Sequence, residues 1–265
     1  MNAGLLALFL AAFLSAAMAI ACRIALKTKQ SGKIDAIWTF ATGAALIAAA
    51  LAPSASAQTA RQILVAAIAL VWCLRLGTYM WRRAASGPDD PRYAALKREW
   101  GAAAPSKLFW FLQAQAACAL PLALAAWLAG HATRPPLDAR DLFGAAIFAI
   151  AIAGESAADA QMAAFRANPE NRGRICDKGL WAWSRHPNYF FEWLGWLAYP
   201  AVALQVDDWR GWLAFGAPAL MYWLLVHVSG VPPLEQELQR SRPDAFNRYK
   251  ARVNAFWPAP PRSAA

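Results

Sequence analysis

The chain runs to 265 residues, of which 59% are hydrophobic and only 16% charged, with 14 Trp and 13 Phe. Soluble domains of this length rarely reach such an apolar fraction, so the composition points into a bilayer and away from a soluble protein with long buried helices. A net charge of +10 would admit a nucleic-acid partner, but the placement of the basic residues along the chain removes that reading.

Seven windows approach the roughly 20 apolar residues needed to cross a bilayer. They lie at about 4–22, 34–52, 63–81, 107–129, 141–164, 189–206 and 211–229. The predicted fold is therefore all-α, a single domain over 1–265 built as a membrane bundle of seven helices. The first window is Ala-rich like a secretory signal. No basic residue precedes it, however, and Arg23, Lys27 and Lys29 follow, so it reads as a span. With seven spans the connections alternate sides, and 21 of the 26 Lys and Arg fall on one of them. The other side receives only Arg61, Arg134, Arg140 and Arg210, while Arg75 sits inside the third window. Basic residues concentrate in the cytoplasm, which predicts an external amino terminus and a cytoplasmic carboxyl terminus. The external loops, 53–62, 130–140 and 207–210, are short. The cytoplasmic stretches 82–106, 165–188 and 230–265 are longer, so chemistry is expected to face the cytoplasm. Cys22, Cys73, Cys118 and Cys176 form no CxxC, and the histidines stand singly at 131, 186 and 227. Free thiols and no metal site follow from that spacing.

Polar residues inside apolar windows are the next signal, because a carboxylate there costs several kcal/mol without a partner. On the second span, Asp35 lies one turn inside the cytoplasmic end, with Trp38 on the same side. It reads either as an ordinary helix N-terminal carboxylate or as a functional acid. On the third, Arg75, Tyr79 and Arg82 recur on one face, whereas Arg83 is placed to snorkel. On the fifth, Glu155 and Asp159 are four residues apart and Arg166 returns to their face. An interhelical salt bridge and a ligand site both explain such a stripe. Ser184-Arg185-His186-Pro187-Asn188 opens the sixth span, with Asn188 as its N-cap and Glu192 one turn on. Free N–H groups at that helix start, together with Arg185, suit an anionic group such as phosphate. Gly230-Val231-Pro232-Pro233 is expected to end the seventh helix, since two prolines cannot continue it. The polar stretch from Leu234 to Tyr249 then reads as one short helix, lying on the membrane surface or capping the bundle.

These motifs carry a resemblance. Gly179-Leu180-Trp181-Ala182-Trp183-Ser184-Arg185-His186-Pro187-Asn188-Tyr189-Phe190-Phe191-Glu192-Trp193 resembles the signature of bacterial DUF1295 proteins, within the steroid 5-alpha-reductase family of membrane enone reductases. Leu74 to Arg83, Asp90-Pro91-Arg92-Tyr93, and Phe165 to Pro169 followed by Asn171-Arg172-Gly173 look similar to the same family. The resemblance runs from about Asp35 to Pro258. It implies a seven-helix bundle with substrate-side helices over 4–129, a cofactor-binding part over 141–258, and NADPH as cofactor. The cofactor-binding residues it implies are Arg82, Glu155, Asp159, Arg166, Arg172, Arg174, Arg185, His186, Asn188, Glu192, Glu235, Arg240 and Tyr249. It gives catalytic roles to Tyr79, Asp35 and Glu192, and substrate contacts to Asp35, Trp38 and Tyr79. Glu155 stands where the steroid enzymes tend to carry Asn, and Phe191 replaces a glycine, which narrows that part of the pocket. His227 is a further candidate near the last helix.

The implied reaction is reduction of a carbon–carbon double bond conjugated to a ketone, most simply a 3-oxo-4-ene steroid entering from the bilayer. The implied setting is a bacterial inner membrane with the active site facing the cytoplasm. No Gly-rich dinucleotide loop is present, so side chains within the bundle would hold the cofactor. Two other readings remain open on sequence. Isoprenylcysteine and phospholipid methyltransferases share a related Arg-His-Pro-x-Tyr segment but use S-adenosylmethionine, with paired glutamates that Glu235 and Glu237 only approximate. A non-enzymatic lipid-binding or transport protein would instead place its acids along a through-path.

Overall fold

The computed structural model describes residues 3–54, 59–85, 89–205 and 208–262, and among them every regular element is helical. Eleven α-helices follow in order: α1 Ala3–Thr28, α2 Ile34–Ala50, α3 Thr59–Ala85, α4 Pro91–Trp100, α5 Ala104–Gly130, α6 Ala139–Ala167, α7 Pro187–Trp196, α8 Ala198–Ala203, α9 Gly216–Trp223, α10 Val231–Ser241 and α11 Pro243–Arg252. The packing separates two compact units, 1–143 with 199–217 and 144–198 with 218–265, so the boundary falls inside α6.

Five helical stretches are long and apolar enough to cross a membrane: α1, α3, the run Arg92–Gly130, α6, and the run Trp209–Ser241. The second expected span, α2, is apolar but only 17 residues long. The sixth differs from expectation more sharply, because 189–205 holds two short helices and no continuous one; Val206 lies outside the described residues. Pro200 explains the break. Its ring cannot sit against the carbonyl four residues back, at Trp196, and α7 ends there with a tightened turn from Leu197 N–H to the Leu194 carbonyl (3.0 Å).

Proline also corrects three local readings. Pro232 and Pro233 do not end a helix but begin α10, where their missing N–H groups cost nothing. The break before them belongs to Gly230, whose absent side chain lets the Leu225 carbonyl approach where a Cβ would sit 2.3 Å away. Ahead of it, Leu224–Val228 forms a π-helical turn closed by Ser229 N–H on the Leu224 carbonyl (2.7 Å). Pro243 divides the polar tail expected as one helix into α10 and α11. Pro91 opens α4 within the stretch expected as the loop 82–106, and Asp90 caps it by accepting from Arg92 N–H (2.9 Å).

The first unit is a bundle of α1, α2, α3 and α5. Leu6, Leu10, Leu14, Met18, Ala21 and Ala25 form one buried stripe of α1, in a core shared with Leu108, Leu112, Ala116, Ala119 and Ala123 of α5. Small residues set the approach of α2 and α3: a Cβ on Gly43 would lie 2.2 Å from that of Cys73, and one on Gly77 2.6 Å from the Phe40 ring. One end of this unit is pinned by a buried ion pair. Arg61 donates to both carboxylate oxygens of Asp141 (2.9–3.1 Å), and neither side chain is exposed at all.

Removing Arg61 takes from the buried Asp141 one of its two guanidinium partners, Arg134 being the other (2.8 Å), and leaves a buried charge under-compensated, a loss of up to about 3–5 kcal/mol. Arg61→Leu is therefore expected to lower the unfolding midpoint markedly. Arg61→Leu with Asp141→Leu should recover part of the loss, which a double-mutant cycle of thermal unfolding measures directly.

Candidate functional site

In the second unit α6 and α7 pack antiparallel, and small residues again allow it. A Cβ on Gly154 would meet three atoms of the Phe191 ring at 2.3–2.5 Å, and one on Gly195 would touch Ala151 at 3.5 Å. Asn188 Nδ2 lies 3.5 Å from Asp159 Oδ1, a long and weak hydrogen bond. These pairings fix a register that brings Glu155 to the level of Glu192. Both glutamates are buried, and Glu192 Oε1 accepts from Trp196 Nε1 (3.0 Å). Four of the expected residues, Glu155, Asp159, Asn188 and Glu192, are thereby gathered on one helix pair. Asn188 is the second residue of α7 and not its N-cap; His186 holds that place without a side-chain bond. Phe191 fills the notch over Gly154, so the bulk that replaces a family glycine is accommodated by a glycine on the facing helix.

A second cluster collects Arg185, His186, Glu235 and Tyr249. Glu235 Oε1 accepts from Arg185 Nε (2.8 Å), is paired with Arg185 Nη2 (2.7 Å), and lies 3.2 Å from His186 Nε2. Arg185 Nη1 donates to the Val253 carbonyl (2.5 Å), and the guanidinium lies over the Phe246 ring. Its donors thus face protein acceptors. Tyr249 donates to the Trp181 carbonyl (2.6 Å) and is buried.

This cluster docks the residues after α11 onto the 181–186 segment. Arg185 N–H donates to the Asn254 carbonyl (2.8 Å), Ser184 Oγ to Phe256 (3.0 Å), and Ala259 N–H to Trp183 (2.9 Å). Phe190, Trp193, Tyr222, Phe256 and Trp257 close over the seam with ring centroids 5.1–6.2 Å apart, mostly edge to face. Ser184 and Phe256 were not among the expected residues, and nothing in their spacing marks the contact in advance.

The remaining cations differ. Arg166, Arg172 and Arg174 are exposed at the end of α6 and in the stretch beyond it. Arg240 is exposed and pairs loosely with Glu237 (3.7 Å). The chemistry of this donor set suits a dinucleotide: exposed guanidiniums for phosphates, and buried carboxylates with an amide for hydroxyl and ring-amide groups. Among the described residues no group of His, Cys, Asp and Glu is arranged to hold a metal, and all four cysteines are free.

His227 meets Tyr222 edge-on at 5.9 Å in the second unit, and the remaining expected residues belong to the first. The contacts of Gly43 with Cys73 and Gly77 with Phe40, and Lys33 Nζ over the Trp81 ring (4.9 Å), set a register with Asp35 level with Arg82 and Trp38 level with Tyr79. Arg75, Tyr79 and Arg82 continue the face of Trp72, which meets Trp38 edge-on at 6.5 Å. Tyr79 and Arg82 are exposed. The tyrosine on Asp35 is Tyr93, at 2.8 Å, and Arg92 forms an ion pair with the same carboxylate. Trp38 Nε1 donates to the Gln115 carbonyl (3.0 Å), and Gln115 Nε2 to Tyr93 Oη (3.3 Å). Asp35 and Trp38 thus anchor α2 to α4 and α5. Burial would raise the Asp89 carboxyl, but Lys97 and the Ser31 N–H hold it below its ordinary value.

Two outcomes are expected. Gly154→Ala forces Phe191 to move and should cost about 1–3 kcal/mol, most of it recovered when Phe191→Ala is added, as read by thermal unfolding. Burial, opposed by Glu235 and assisted by Arg185, holds His186 below its ordinary pKa. The unfolded chain then binds the extra proton. This contribution is full above about pH 6.5 and is lost as pH falls through the depressed folded value. The unfolding midpoint of the native chain should accordingly fall more steeply than that of His186→Asn below pH 6.5.

A family model described as "Protein of unknown function (DUF1295)" matches residues 21–253. No curated protein and no solved structure matches the chain.

Proposed function

The chain belongs to the DUF1295 family of steroid 5-alpha-reductase-like proteins, and from that membership we propose that it reduces the carbon–carbon double bond of a lipophilic enone with NADPH. The physiological substrate class in this reading is a 3-oxo-4-ene steroid or a lipid of the same chemistry. The observation that carries the proposal is the α6–α7 pair, where buried Glu155 and Glu192 share a surface with Asp159 and Asn188. Carboxylates and an amide gathered on one helix pair offer acceptors and a donor that match a nicotinamide ring amide and ribose hydroxyls. Arg166, Arg172 and Arg174 supply exposed guanidiniums for phosphates.

In this reading Asp159, Asn188 and Glu192 hold and orient the cofactor, with Glu155 beside them. Arg185, His186, Glu235 and Tyr249 act one layer behind by holding the start of α7 in place. NADPH, when bound, supplies a hydride to the β-carbon of the enone. Tyr79 hydrogen-bonds the ketone oxygen and stabilises the charge that develops there. Asp35 is an acceptor already paired with Arg92; its part is to hold Tyr93 and α4. The same reading carries the seven-span topology, with the amino terminus outside and the active site facing the cytoplasm of a bacterial inner membrane.

Purified protein is expected to consume NADPH when given testosterone or progesterone, followed at 340 nm. Tyr79→Phe and Glu192→Gln should each slow turnover by about 10²-fold or more. NADPH should also raise the unfolding midpoint, while S-adenosylmethionine should not. Stabilisation by S-adenosylmethionine alone would assign the chain to methyl transfer.

A further inference from the structure

A cavity of about 780 Å³ opens in the first unit where α5 gives way to α6, and no residue of the proposed reductase site lines it. Thr133, Arg134, Asp138 and Arg140 form one wall, and Gln205, Asp208 and Arg210 the other. The frame around it is tightly bonded. Arg61, besides binding Asp141, donates to the carbonyls of Ala132 (2.6 Å), Arg134 (2.9 Å) and Pro135. Arg134 Nη1 donates to Asp138 (2.8 Å) and Nη2 to Asp141 (2.8 Å) and the Val202 carbonyl (2.5 Å). Gln205 Oε1 accepts from both the N–H (3.1 Å) and the hydroxyl (2.9 Å) of Thr133, which laces the two walls together.

Among the described residues the charge inside this frame does not cancel. Arg61 and Asp141 neutralise one another, which leaves the guanidiniums of Arg134, Arg140 and Arg210 against the carboxylates of Asp138 and Asp208. Both of those carboxylates are already engaged. Asp138 Oδ1 accepts from Arg134 and from the N–H groups of Arg140 (3.0 Å) and Asp141 (3.2 Å). Asp208 Oδ1 accepts from Arg210 N–H (3.0 Å) and Nε (2.9 Å). Arg140 donates through Nη1 to a neutral acceptor, the Leu204 carbonyl (2.9 Å). Arg134, its side chain nine-tenths buried, keeps an Nε–H with no hydrogen-bond partner among the described residues. Among the described residues donors and positive charge are in surplus, so the matching ligand brings several acceptor oxygens and a negative charge.

The rim narrows the source of that ligand. Trp209 and Trp212 flank Arg210 and are 71% and 62% exposed, and Leu142 and Phe143 follow Arg140 with 63% exposure each. Tryptophans beside arginines at the end of an apolar bundle suit the headgroup level of a bilayer, rings against the upper acyl chains and guanidiniums against phosphate. We propose that this cavity is a second binding site, independent of the reductase reading, which holds a phosphate group at the membrane surface through Arg140 and Arg210. A phosphodiester of an anionic phospholipid and a soluble phosphate ester share this chemistry, and the flanking tryptophans favour the lipid.

The test uses the full chain in a neutral detergent, titrated separately with phosphatidylglycerol, phosphatidylcholine and glycerol phosphate. Bound ligands are counted by native mass spectrometry and the unfolding midpoint is followed alongside. Phosphatidylglycerol is expected to bind one-to-one at this site and to raise the midpoint. Arg140→Gln with Arg210→Gln should weaken it at least ten-fold. Arg210→Gln alone, at a side chain 66% exposed, gives the same direction of change should the double variant fail to fold. Saturable binding of glycerol phosphate, lost in the same variants, would support the pocket and assign it a soluble ligand. Phosphatidylglycerol affinity unchanged in the variants would overturn the proposal.

Discussion

An ionised group taken into an apolar helix bundle is tolerable only if its counter-charge arrives with it. The architecture of both units follows from that constraint. Arg61 reaches full burial because Asp141 of α6 and three loop carbonyls surround it, and that arrangement fixes where α3 and α6 begin. Asp35 brings Arg92 and Tyr93, and so draws α4 against α2. In the second unit Arg185 and Glu235 do the same for α10 and the start of α7. Ion pairs of this kind contribute little net stability, but each admits few alternative partners, so they select one packing of otherwise interchangeable Ala-rich helices.

Between these anchors, closeness comes from residues that have almost no side chain. Gly43, Gly77 and Gly154 each face a larger group, Cys73, Phe40 and Phe191, at distances that a Cβ would forbid. Lipid offers helices no hydrophobic reward for associating, so van der Waals contact at such notches has to carry the packing. The notch at Gly154 also positions Glu155 and Glu192 level with each other, which ties the proposed cofactor surface to a packing detail.

Much of this was legible in the sequence, because the strongest signals are periodic or compositional. The apolar windows located α1, α2, α3, α5 and α6, and the four-residue spacing of Glu155 and Asp159 put both acids on one face of α6. Prolines were harder to place. Pro91, Pro232 and Pro243 act as helix starts and Pro200 as a breaker, and the same residue type reads either way until its neighbours are known. Partners distant in sequence were also hidden. On sequence Arg185 suits an anionic group at a helix start, and only the fold reveals Glu235 and Val253 beside it. Arg61 and Arg134 drew attention only as sparse charges on one side of the bundle, although they are among the most heavily bonded side chains in it.

The docking of 254–259 onto 183–185 has a consequence for how the chain is made. A ribosome delivers Trp183, Ser184 and Arg185 some 70 residues before their respective partners Ala259, Phe256 and Asn254. Until those partners emerge, the start of α7 lacks the acceptors and the aromatic cover that later enclose it. Most of the first unit, residues 1–143, is made before α7, whereas the segment that begins α7 is enclosed only after residue 259 has been added.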